Sequence, residues 1–161
     1  MASERVDNFL AENYSYLVVR LSRPEILAAF REHKVRCTPQ RFTILDYLNR
    51  NAKHPTAEEI YKAINRTDPR ASLATVYKSL HALASAGLIR EVTVEGNAVR
   101  FESNMAKHHH FVCDRCGNVE DLQWYNVPRP LPRSLGKRIL RECELIFRGL
   151  CTKCAPRHAY R

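Results

Sequence analysis

Apolar residues recur at helical spacing through the first half of the chain, between polar residues of the kind that cap helices. Ser22 and Glu25 form a capping box, and Pro24 between them suits the first turn of the helix that they open. Signals of this kind predict four helices, which run from Pro24 to about His33, from Pro39 after the cap Thr38, after the capping box Thr56–Glu59, and from Leu73 to Ala86 between Ser72 and Gly87.

The spacing of the apolar residues changes from helical to alternating at Leu88. The alternation predicts a strand over residues 88–94, residues 95–97 (Glu-Gly-Asn) predict a turn, and a return strand is expected from Ala98 to Phe101. Short helices followed by a two-stranded hairpin are the element order of a winged helix-turn-helix domain. We therefore predict such a domain in the first hundred residues.

Past the hairpin, the chain predicts a small α/β unit, so the expected fold class is α+β. Three closely spaced prolines exclude a helix before about residue 133. A short helix is then expected over Ser134–Leu140 and a strand over Glu142–Arg148. A unit of this size cannot bury a stable core alone, and a zinc ion would supply folding free energy on the order of 10 kcal/mol.

Composition narrows the class of protein. The 161 residues carry a formal net charge of +9, which favours a polyanionic partner, although the charge is spread over both halves. Residues 1–10 lack the apolar stretch of a secretory signal, and no apolar run approaches the roughly 20 residues of a membrane helix. Six cysteines without a signal indicate a reducing compartment, the cytoplasm. Residues 1–21 allow an amphipathic helix or a tail that packs only on a partner.

Two Cys-x-x-Cys pairs, Cys113 with Cys116 and Cys151 with Cys154, predict a closed tetrahedral zinc site. The gap of two residues lets a tight turn present both sulfurs of a pair to one ion. Four thiolates leave no open coordination position for a zinc hydrolase. Pairs at predicted strand ends also differ from a redox Cys-x-x-Cys at a helix start. We therefore do not expect an enzyme.

A second candidate metal site combines imidazoles with carboxylates. His108 and His110 are two positions apart, so a strand would place both rings on one face and His109 on the other. Glu102 precedes them at the end of the wing, and Asp121 follows on the return strand. A site built from these nitrogen and oxygen donors favours Fe²⁺ or Mn²⁺ over the zinc of a tetrahedral thiolate site.

His54, just before the third helix, has two interpretations on sequence alone. It either caps that helix without touching a metal or supplies a further ligand from the winged-helix half. In the second case one ion would bridge the two halves, and filling the site would fix their relative orientation.

The helix that follows Ser72 is the candidate DNA-reading helix, because its first turns offer hydroxyls and a positive charge to bases and phosphates. The residues expected to contact DNA are Arg36, Arg41, Ser72, Thr75, Tyr77 and Lys78. Helix-turn-helix folds also serve as protein-contact modules, with Tyr77 and Val76 half in the core. A zinc-stabilised module that contacts only proteins is therefore the alternative.

From about Pro24 to Cys154 the chain resembles the ferric uptake regulator (Fur) family. The resemblance is carried, in order along the chain, by Thr38-Pro39-Gln40-Arg41, His54-Pro55-Thr56-Ala57-Glu58-Glu59-Ile60-Tyr61, Ala74-Thr75-Val76-Tyr77, Arg100-Phe101-Glu102, the run from His108 to Gly117, and Cys151-x-x-Cys154. It implies a homodimeric, metal-dependent transcriptional repressor of double-stranded operator DNA. Residues 1–21 would be an N-terminal extension, 22–100 the DNA-binding domain and 101–161 the dimerisation domain.

The resemblance also implies the two metal sites and the branch of the family. Structural zinc would bind the four cysteines, and a regulatory Fe²⁺ or Mn²⁺ would bind His54, Glu102, His108, His110 and Asp121. The four-cysteine site and Asp121 resemble the peroxide-responsive PerR branch, in which hydrogen peroxide oxidises ligand imidazoles, here His54 and His108. Glu102 resembles iron-sensing members, which makes repression of iron uptake the alternative. A zinc-sensing regulator ranks third.

Overall fold

The computed structural model describes residues 20–51, 53–66, 71–93, 99–124, 136, 138–139 and 143–156. The elements in chain order are α1 (Arg23–Glu32), α2 (Pro39–Arg50), α3 (Ala57–Ile64), α4 (Leu73–Ser85), β1 (Arg90–Val92), β2 (Arg100–Glu102), β3 (His108–Cys113), β4 (Val119–Gln123) and β5 (Ile146–Gly149). None of the helices in this described part has the length and apolar character that crossing a bilayer demands. The predicted α+β class is confirmed.

All four predicted helices form, and their capping residues act as expected. Thr56 and Glu59 make both hydrogen bonds of a capping box, and Ser72 accepts one from the backbone N–H of Thr75. The helices and the wing bury one apolar core, which consists of Ile26, Phe30, Ile44, Leu45, Leu48, Ala57, Ile60, Ile64, Val76, Leu80, Leu83, Leu88, Ile89 and Phe101. The winged-helix half is therefore held together by ordinary hydrophobic burial.

Gly87 ends α4 as predicted, with φ at +70°. The backbone N–H of Leu88 reaches back to the carbonyl of Leu83 at 3.0 Å, which is the pattern of a Schellman cap. At the end of α1 the same bond runs from Val35 to Phe30 at 2.9 Å, but there Lys34 occupies the left-handed position, with φ at +55°.

The wing is shorter than the alternating pattern predicts. β1 covers only Arg90–Val92, because Leu88 and Ile89 both enter the core of the winged-helix half instead of alternating. β2 pairs with it antiparallel, with Arg90 opposite Glu102, and so ends one residue later than predicted. The predicted turn at residues 95–97 lies outside the described residues.

The second sheet has the order β4-β3-β5, with β4 antiparallel and β5 parallel to the central β3. Its described apolar core is small and consists of Val92, Val112 and Val119. The strand predicted over Glu142–Arg148 begins four residues later, at Ile146. Of the helix predicted over Ser134–Leu140, the described residues 136, 138 and 139 are not helical, and the rest lies outside the described part. Of residues 1–21, for which a helix was one of two interpretations, only residues 20 and 21 are described, and they are not helical.

Candidate metal centres

Five side chains from both halves of the chain converge on one point and form what we call the His/carboxylate cluster. His54 precedes α3, Glu102 ends β2, His108 and His110 lie on β3, and Asp121 lies on β4 directly opposite His110. One donor atom of each side chain lies within 4.8 Å of the donors of all the others. The structure thus brings together all five residues that the sequence suggested for this site.

The donor atoms are in contact and shielded from water. Glu102 Oε2 lies 3.0 Å from His108 Nε2 and 3.1 Å from His54 Nε2, while Asp121 Oδ1 lies 2.9 Å from His54 Nε2. The rings of His54, His108 and His110 are at most 1% exposed. Ionisable groups buried to this extent need to neutralise one another or to bind an ion.

The tautomers of His108 and His110 direct two lone pairs into the cluster. His108 Nδ1 lies 2.8 Å from the carbonyl of Ala106, and His110 Nδ1 lies 2.8 Å from Glu144 Oε1. Because a carbonyl and a carboxylate only accept, both Nδ1 atoms carry the hydrogen. The two Nε2 atoms face each other at 3.0 Å, a distance that needs a proton or a cation between them.

Unsatisfied oxygens test whether the cluster suits a metal ion. Glu102 Oε1 and Asp121 Oδ1 are buried and make no aligned hydrogen bond. Their nearest cationic contacts, Arg90 Nε at 3.4 Å and His54 Nε2 at 2.9 Å, are electrostatic only. Since orphaned buried acceptors are costly, a divalent cation would relieve this site. Three imidazoles and two carboxylates fit the Fe²⁺ or Mn²⁺ that the sequence predicts.

The carboxylates set the protonation of the cluster. Burial opposes a charge on His54, but its close contacts with the carboxylates of Asp121 and Glu102 outweigh burial and raise the pKa of His54 to about 9. The pKa of His108 is raised in the same way, against its own burial, by its bond to Glu102. Burial opposes the charges of Glu102 and Asp121 as well, but the neighbouring imidazoles outweigh it and lower the pKa of both carboxylates. Protons therefore hold the place that a metal ion would take, and ion binding has to displace them.

His54 reaches the cluster through a backbone conformation that few side chains adopt. Its φ is +46°, in the left-handed region. Arg100 Nη1 donates to the His54 carbonyl at 2.9 Å, and the backbone N–H of Phe101 donates to the carbonyl of Pro55 at 3.0 Å. Strand β2 therefore pins the segment before α3, while Thr56 and not His54 caps that helix.

Three residues that the sequence analysis did not single out contact the cluster. Glu144 bonds His110, Asn104 Nδ2 donates to Asp121 Oδ2 at 2.9 Å, and Arg90 pairs with Glu102. No sequence signal identifies Glu144, which lies 34 positions from its partner. Arg90 opposite Glu102 would have followed from a correct strand register, since facing side chains of opposite charge attract.

The cysteine cluster, Cys113, Cys116, Cys151 and Cys154, brings four free thiols within 4.8 Å of one another. The Sγ atoms of Cys116 and Cys151 are 3.8 Å apart, which is about the edge of a tetrahedron with Zn–S bonds of about 2.3 Å. Gly117, with φ at +68°, lets its N–H return to the Cys113 carbonyl at 2.8 Å and so closes the first turn. The geometry matches the predicted structural zinc site.

Backbone N–H groups stabilise a thiolate in the cysteine cluster. N–H groups of Cys151 and Cys116 lower the pKa of Cys113 to about 6, the Cys151 N–H lying 3.4 Å from its Sγ. Burial, followed by the neighbouring thiols, raises the pKa of Cys154 to about 12. Without a cation the site therefore favours one thiolate and opposes four, whereas zinc binding requires all of them deprotonated.

The residues predicted to contact DNA on α4 are accessible but partly engaged within the protein. Tyr77 is 47% exposed, and its hydroxyl donates to Glu58 Oε1 at 2.6 Å. Ser72 caps the helix and lies 2.9 Å from the Thr75 hydroxyl. Lys78 is exposed. The alternative that Tyr77 is half in the core does not describe the structure, although its neighbour Val76 is fully buried.

Arg36 and Arg41 lie near the start of α2. Arg36 is exposed, and Arg41 Nη1 donates to the Arg36 carbonyl at 3.0 Å. Arg41 therefore stabilises the loop that leads into α2 and keeps its remaining donors for another partner.

Comparisons with known proteins agree with this architecture. The sequence model of the Ferric uptake regulator family matches residues 32–140. The peroxide-responsive repressor PerR of Staphylococcus aureus is 40% identical over 132 residues, which cover 81% of this chain and 89% of that protein. The structure resembles the Vibrio cholerae ferric uptake regulator with a TM-score of 0.62 at 26% identity, over 77% of this chain and 98% of that one. It also resembles the Campylobacter jejuni peroxide stress regulator with a TM-score of 0.56 at 29% identity, over 81% and 99% of the two chains.

The family match spans both candidate metal clusters except the second cysteine pair, and the S. aureus relative is covered over most of its length. The chain belongs to the ferric uptake regulator family.

Proposed function

We propose that the chain is a metal-dependent transcriptional repressor that binds operator DNA as a homodimer and senses hydrogen peroxide through the His/carboxylate cluster. One observation carries the proposal: the five donors come from both halves of the chain. His54 precedes a helix of the winged-helix half, whereas His108, His110 and Asp121 lie on the second sheet. A cation bound by all of them would hold the two halves in one relative orientation.

Control of DNA binding by this cation, which we call the metal gate, depends on different contributions from the cluster and its neighbours. Arg100 holds His54 in its left-handed conformation, so that the ring points away from solvent toward Glu102. Asp121 and Glu102 supply the negative charge that attracts a divalent cation. A ligand shifts a conformational equilibrium only as far as it binds one state more tightly than the other. Here the cation would bind most tightly to the state in which all five donors are within reach, and would therefore favour that state.

The DNA-binding surface is proposed to be the exposed start of α4 together with the loop before α2. Arg36, Arg41 and Lys78 would contact phosphates, and Ser72, Thr75 and Tyr77 would supply hydroxyls to phosphates or base edges. The distance between the two reading helices of a dimer depends on how each winged half is held. This dependence is how the ion would control affinity for a palindromic site.

Zinc on the cysteine cluster would stabilise the second sheet, on which the dimer contact is proposed to lie. Among the described residues, strand β5 pairs with β3 alone, and Ile146 within β5 and Leu150 just after it are 42% and 40% exposed. An open strand edge with apolar neighbours is suited to association with a second copy. Four metal-binding thiols also require a reducing compartment, for which we propose the cytoplasm.

Peroxide sensing is favoured over iron sensing by the S. aureus relative, a peroxide-responsive repressor that is 40% identical. Bound ferrous iron would supply the chemistry that cleaves the O–O bond of hydrogen peroxide, and the imidazole that is oxidised would be the net source of both electrons. An imidazole that reacts gains one oxygen atom while the other leaves as water, and the altered ring is a poorer ligand. Glu102 supports the second candidate, a repressor of iron uptake that responds to iron occupancy alone.

The metal gate is tested by binding to a palindromic duplex. Mn²⁺ should tighten binding by the zinc-loaded chain, and the double substitution His108→Ala with His110→Ala should remove that effect while leaving the zinc content unchanged. Full Mn²⁺-dependent affinity in the double variant would refute the gate. Binding is measured at fixed, low ionic strength, because phosphate contacts weaken steeply with salt.

The sensing chemistry is tested by mass spectrometry of the Fe²⁺-loaded chain after peroxide. We expect a gain of about 16 Da on the peptides of His54 or His108, because bound metal localises the damage. His33 and His81, outside the cluster, serve as internal controls and should stay unmodified. Unmodified histidines with lost DNA binding would instead point to oxidation of the cysteine thiols, and unmodified histidines with retained binding would favour iron sensing.

A further inference from the structure

Arg90 lies behind the His/carboxylate cluster and contacts three acceptors with its guanidinium group. Its Nε lies 3.4 Å from Glu102 Oε1, and its Nη1 lies 3.6 Å from Glu144 Oε2. Its Nη2 donates to the carbonyl of Ala106 at 3.2 Å. Arg90 belongs to the wing strand β1, whereas Glu144 lies two residues before β5. The side chain therefore connects the winged-helix half to the second sheet.

Each acceptor that Arg90 touches is either a candidate ligand or the partner of one. Glu102 is itself a candidate ligand. Glu144 accepts the Nδ1–H of His110 and Ala106 accepts the Nδ1–H of His108, both at 2.8 Å. One guanidinium thus lies behind three of the five donors of the cluster.

These contacts act on the donors in two ways. A carboxylate behind a metal-binding imidazole fixes its tautomer and ring orientation and makes the other nitrogen more basic. The Glu144–His110 pair has this geometry, with the Nε2 of His110 facing the cluster. The planar guanidinium can satisfy several acceptors at fixed angles, which a lysine ammonium on a flexible stem cannot do equally well.

Resting on the function proposed above, we propose that Arg90 and Glu144 are positioning residues that hold Glu102, His108 and His110 ready for the divalent cation. Glu144 acts on His110 directly, and Arg90 holds Glu144, Glu102 and the Ala106 carbonyl in register. Because Arg90 moves with the wing, the affinity of the cluster for its ion depends on the placement of the winged-helix half.

If Arg90 and Glu144 formed only a surface ion pair, their substitution would have a different effect. Glu144 is 37% exposed and Arg90 24%, and ion pairs of this kind contribute little to folding stability. Loss of a pair with only that role would leave metal binding unchanged. Loss of a positioning pair lowers ion affinity without a matching loss of stability or zinc.

The test measures Mn²⁺ affinity directly, by the signal of free Mn²⁺ in electron paramagnetic resonance, on the zinc-loaded full chain. Glu144→Gln keeps the side-chain volume and should weaken Mn²⁺ binding about 10- to 100-fold, the range known for outer partners of metal ligands. Glu120→Gln is the matched control, since Glu120 lies exposed on β4, is bonded to Asn118 and contacts no ligand of the cluster. It should bind Mn²⁺ as the unsubstituted chain does.

Arg90 is tested by a conservative pair of substitutions. Arg90→Gln should lose as much affinity as Glu144→Gln, and the double variant should lose little more, because the two residues act through one network. Arg90→Lys should recover part of the loss by restoring the charge. A role in stability alone would leave Mn²⁺ affinity unchanged and would show only as a lower melting temperature.

The outcomes separate this inference from the function on which it rests. Failure of the unsubstituted chain to bind Mn²⁺ beyond its zinc would overturn both. Mn²⁺ binding that His108→Ala with His110→Ala abolishes, but that Glu144→Gln and Arg90→Gln leave within twofold, would overturn the inference and leave the proposed function standing. Should Glu144→Gln lose its zinc, Arg90→Gln and Arg90→Lys decide the question.

Discussion

The two halves of the chain are stabilised by different means. Among its described residues, the winged-helix half buries fourteen apolar side chains in one core, which include Phe30, Ile44 and Leu80. The second sheet has a described apolar core of only three valines, and one of these, Val92, comes from the wing. The second half instead concentrates four thiols and most of the His/carboxylate cluster. A half that depends on bound ions can report on those ions, whereas a half with its own core stays folded to read DNA.

Loss of a zinc ligand should have the largest effect on stability, and this effect should be confined to the second half. Cys151→Ser removes one of four thiols, and structural zinc contributes folding free energy on the order of 10 kcal/mol. We expect the second sheet to unfold while α1 to α4 keep their protected amides in hydrogen exchange. Trp124, the single tryptophan of the chain, stacks on His109 at 4.6 Å and should report the loss by a red shift of its fluorescence.

The control for the zinc ligand is Cys37→Ser, since Cys37 is an exposed free thiol outside the cluster. Its fluorescence and zinc content should match those of the unsubstituted chain. A Cys151→Ser variant that retains protected amides in β3 would show that the second sheet does not need its zinc.

The reverse experiment weakens only the winged-helix half. Leu80 on α4 is 1% exposed, and Leu80→Ala should cost about 2–5 kcal/mol through lost burial and the cavity left behind. Amides of the four helices should then exchange faster, with unchanged zinc content. Leu73→Ala on the same helix, where the side chain is 37% exposed, should change stability by no more than about 0.5 kcal/mol. Zinc release in Leu80→Ala would mean that the halves unfold as one unit.

The junction between the halves should respond to pH with opposite signs in the ion-free and the ion-loaded chain. The pKa of His54 is raised to about 9, so its ion pairs contribute full stability below the unfolded pKa of about 6.5 and lose it as the pH rises toward 9. Mn²⁺ binding has to displace that proton and should therefore tighten about tenfold per pH unit between pH 7 and pH 8.

The pH effect is measured as the rise in melting temperature on adding Mn²⁺ to the zinc-loaded chain. The rise should be larger at pH 8 than at pH 7. His54→Ala, which lacks the proton to be displaced, should bind more weakly and show a flatter dependence. A rise that shrinks with increasing pH would contradict the protonation state inferred for His54.

Local signals predicted the parts of the fold that depend on neighbours in sequence. Capping residues such as Thr56 and Ser72 marked the helix starts, and Gly87 marked a helix end, because each acts within one turn. The wing was predicted too long because Leu88 and Ile89 are both buried by contacts with the helices. The alternation of apolar and polar residues along the sequence does not reveal such tertiary packing.

The candidate metal centres divide in the same way. The spacing of Cys113 and Cys116 suits a tight turn, and that of His108 and His110 places both rings on one face of a strand. Local spacing alone was therefore enough to predict that these side chains come together. His54 stayed ambiguous because its left-handed backbone and its bond to Arg100 depend on a strand about 46 positions away. Glu144 was missed altogether, since it contacts His110 from 34 positions away, in a segment just before β5 that has no periodic pattern of its own.

The smallest effect concerns two helix ends within the winged-helix half that share one hydrogen-bond pattern but not one residue type. Lys34 and Gly87 both adopt positive φ, at +55° and +70°. A side chain in this conformation costs about 1 kcal/mol, so Lys34→Gly should stabilise this half by roughly that amount. Gly87→Ala should destabilise it by a similar amount, and only through the backbone, because a Cβ there would meet no atom within 4 Å. The melting of the helical half should shift in opposite directions in the two variants, while the zinc content and the Trp124 emission stay unchanged. Equal shifts in both halves would show that the core of the winged-helix half and the zinc-closed sheet are energetically coupled, despite the difference in what stabilises them.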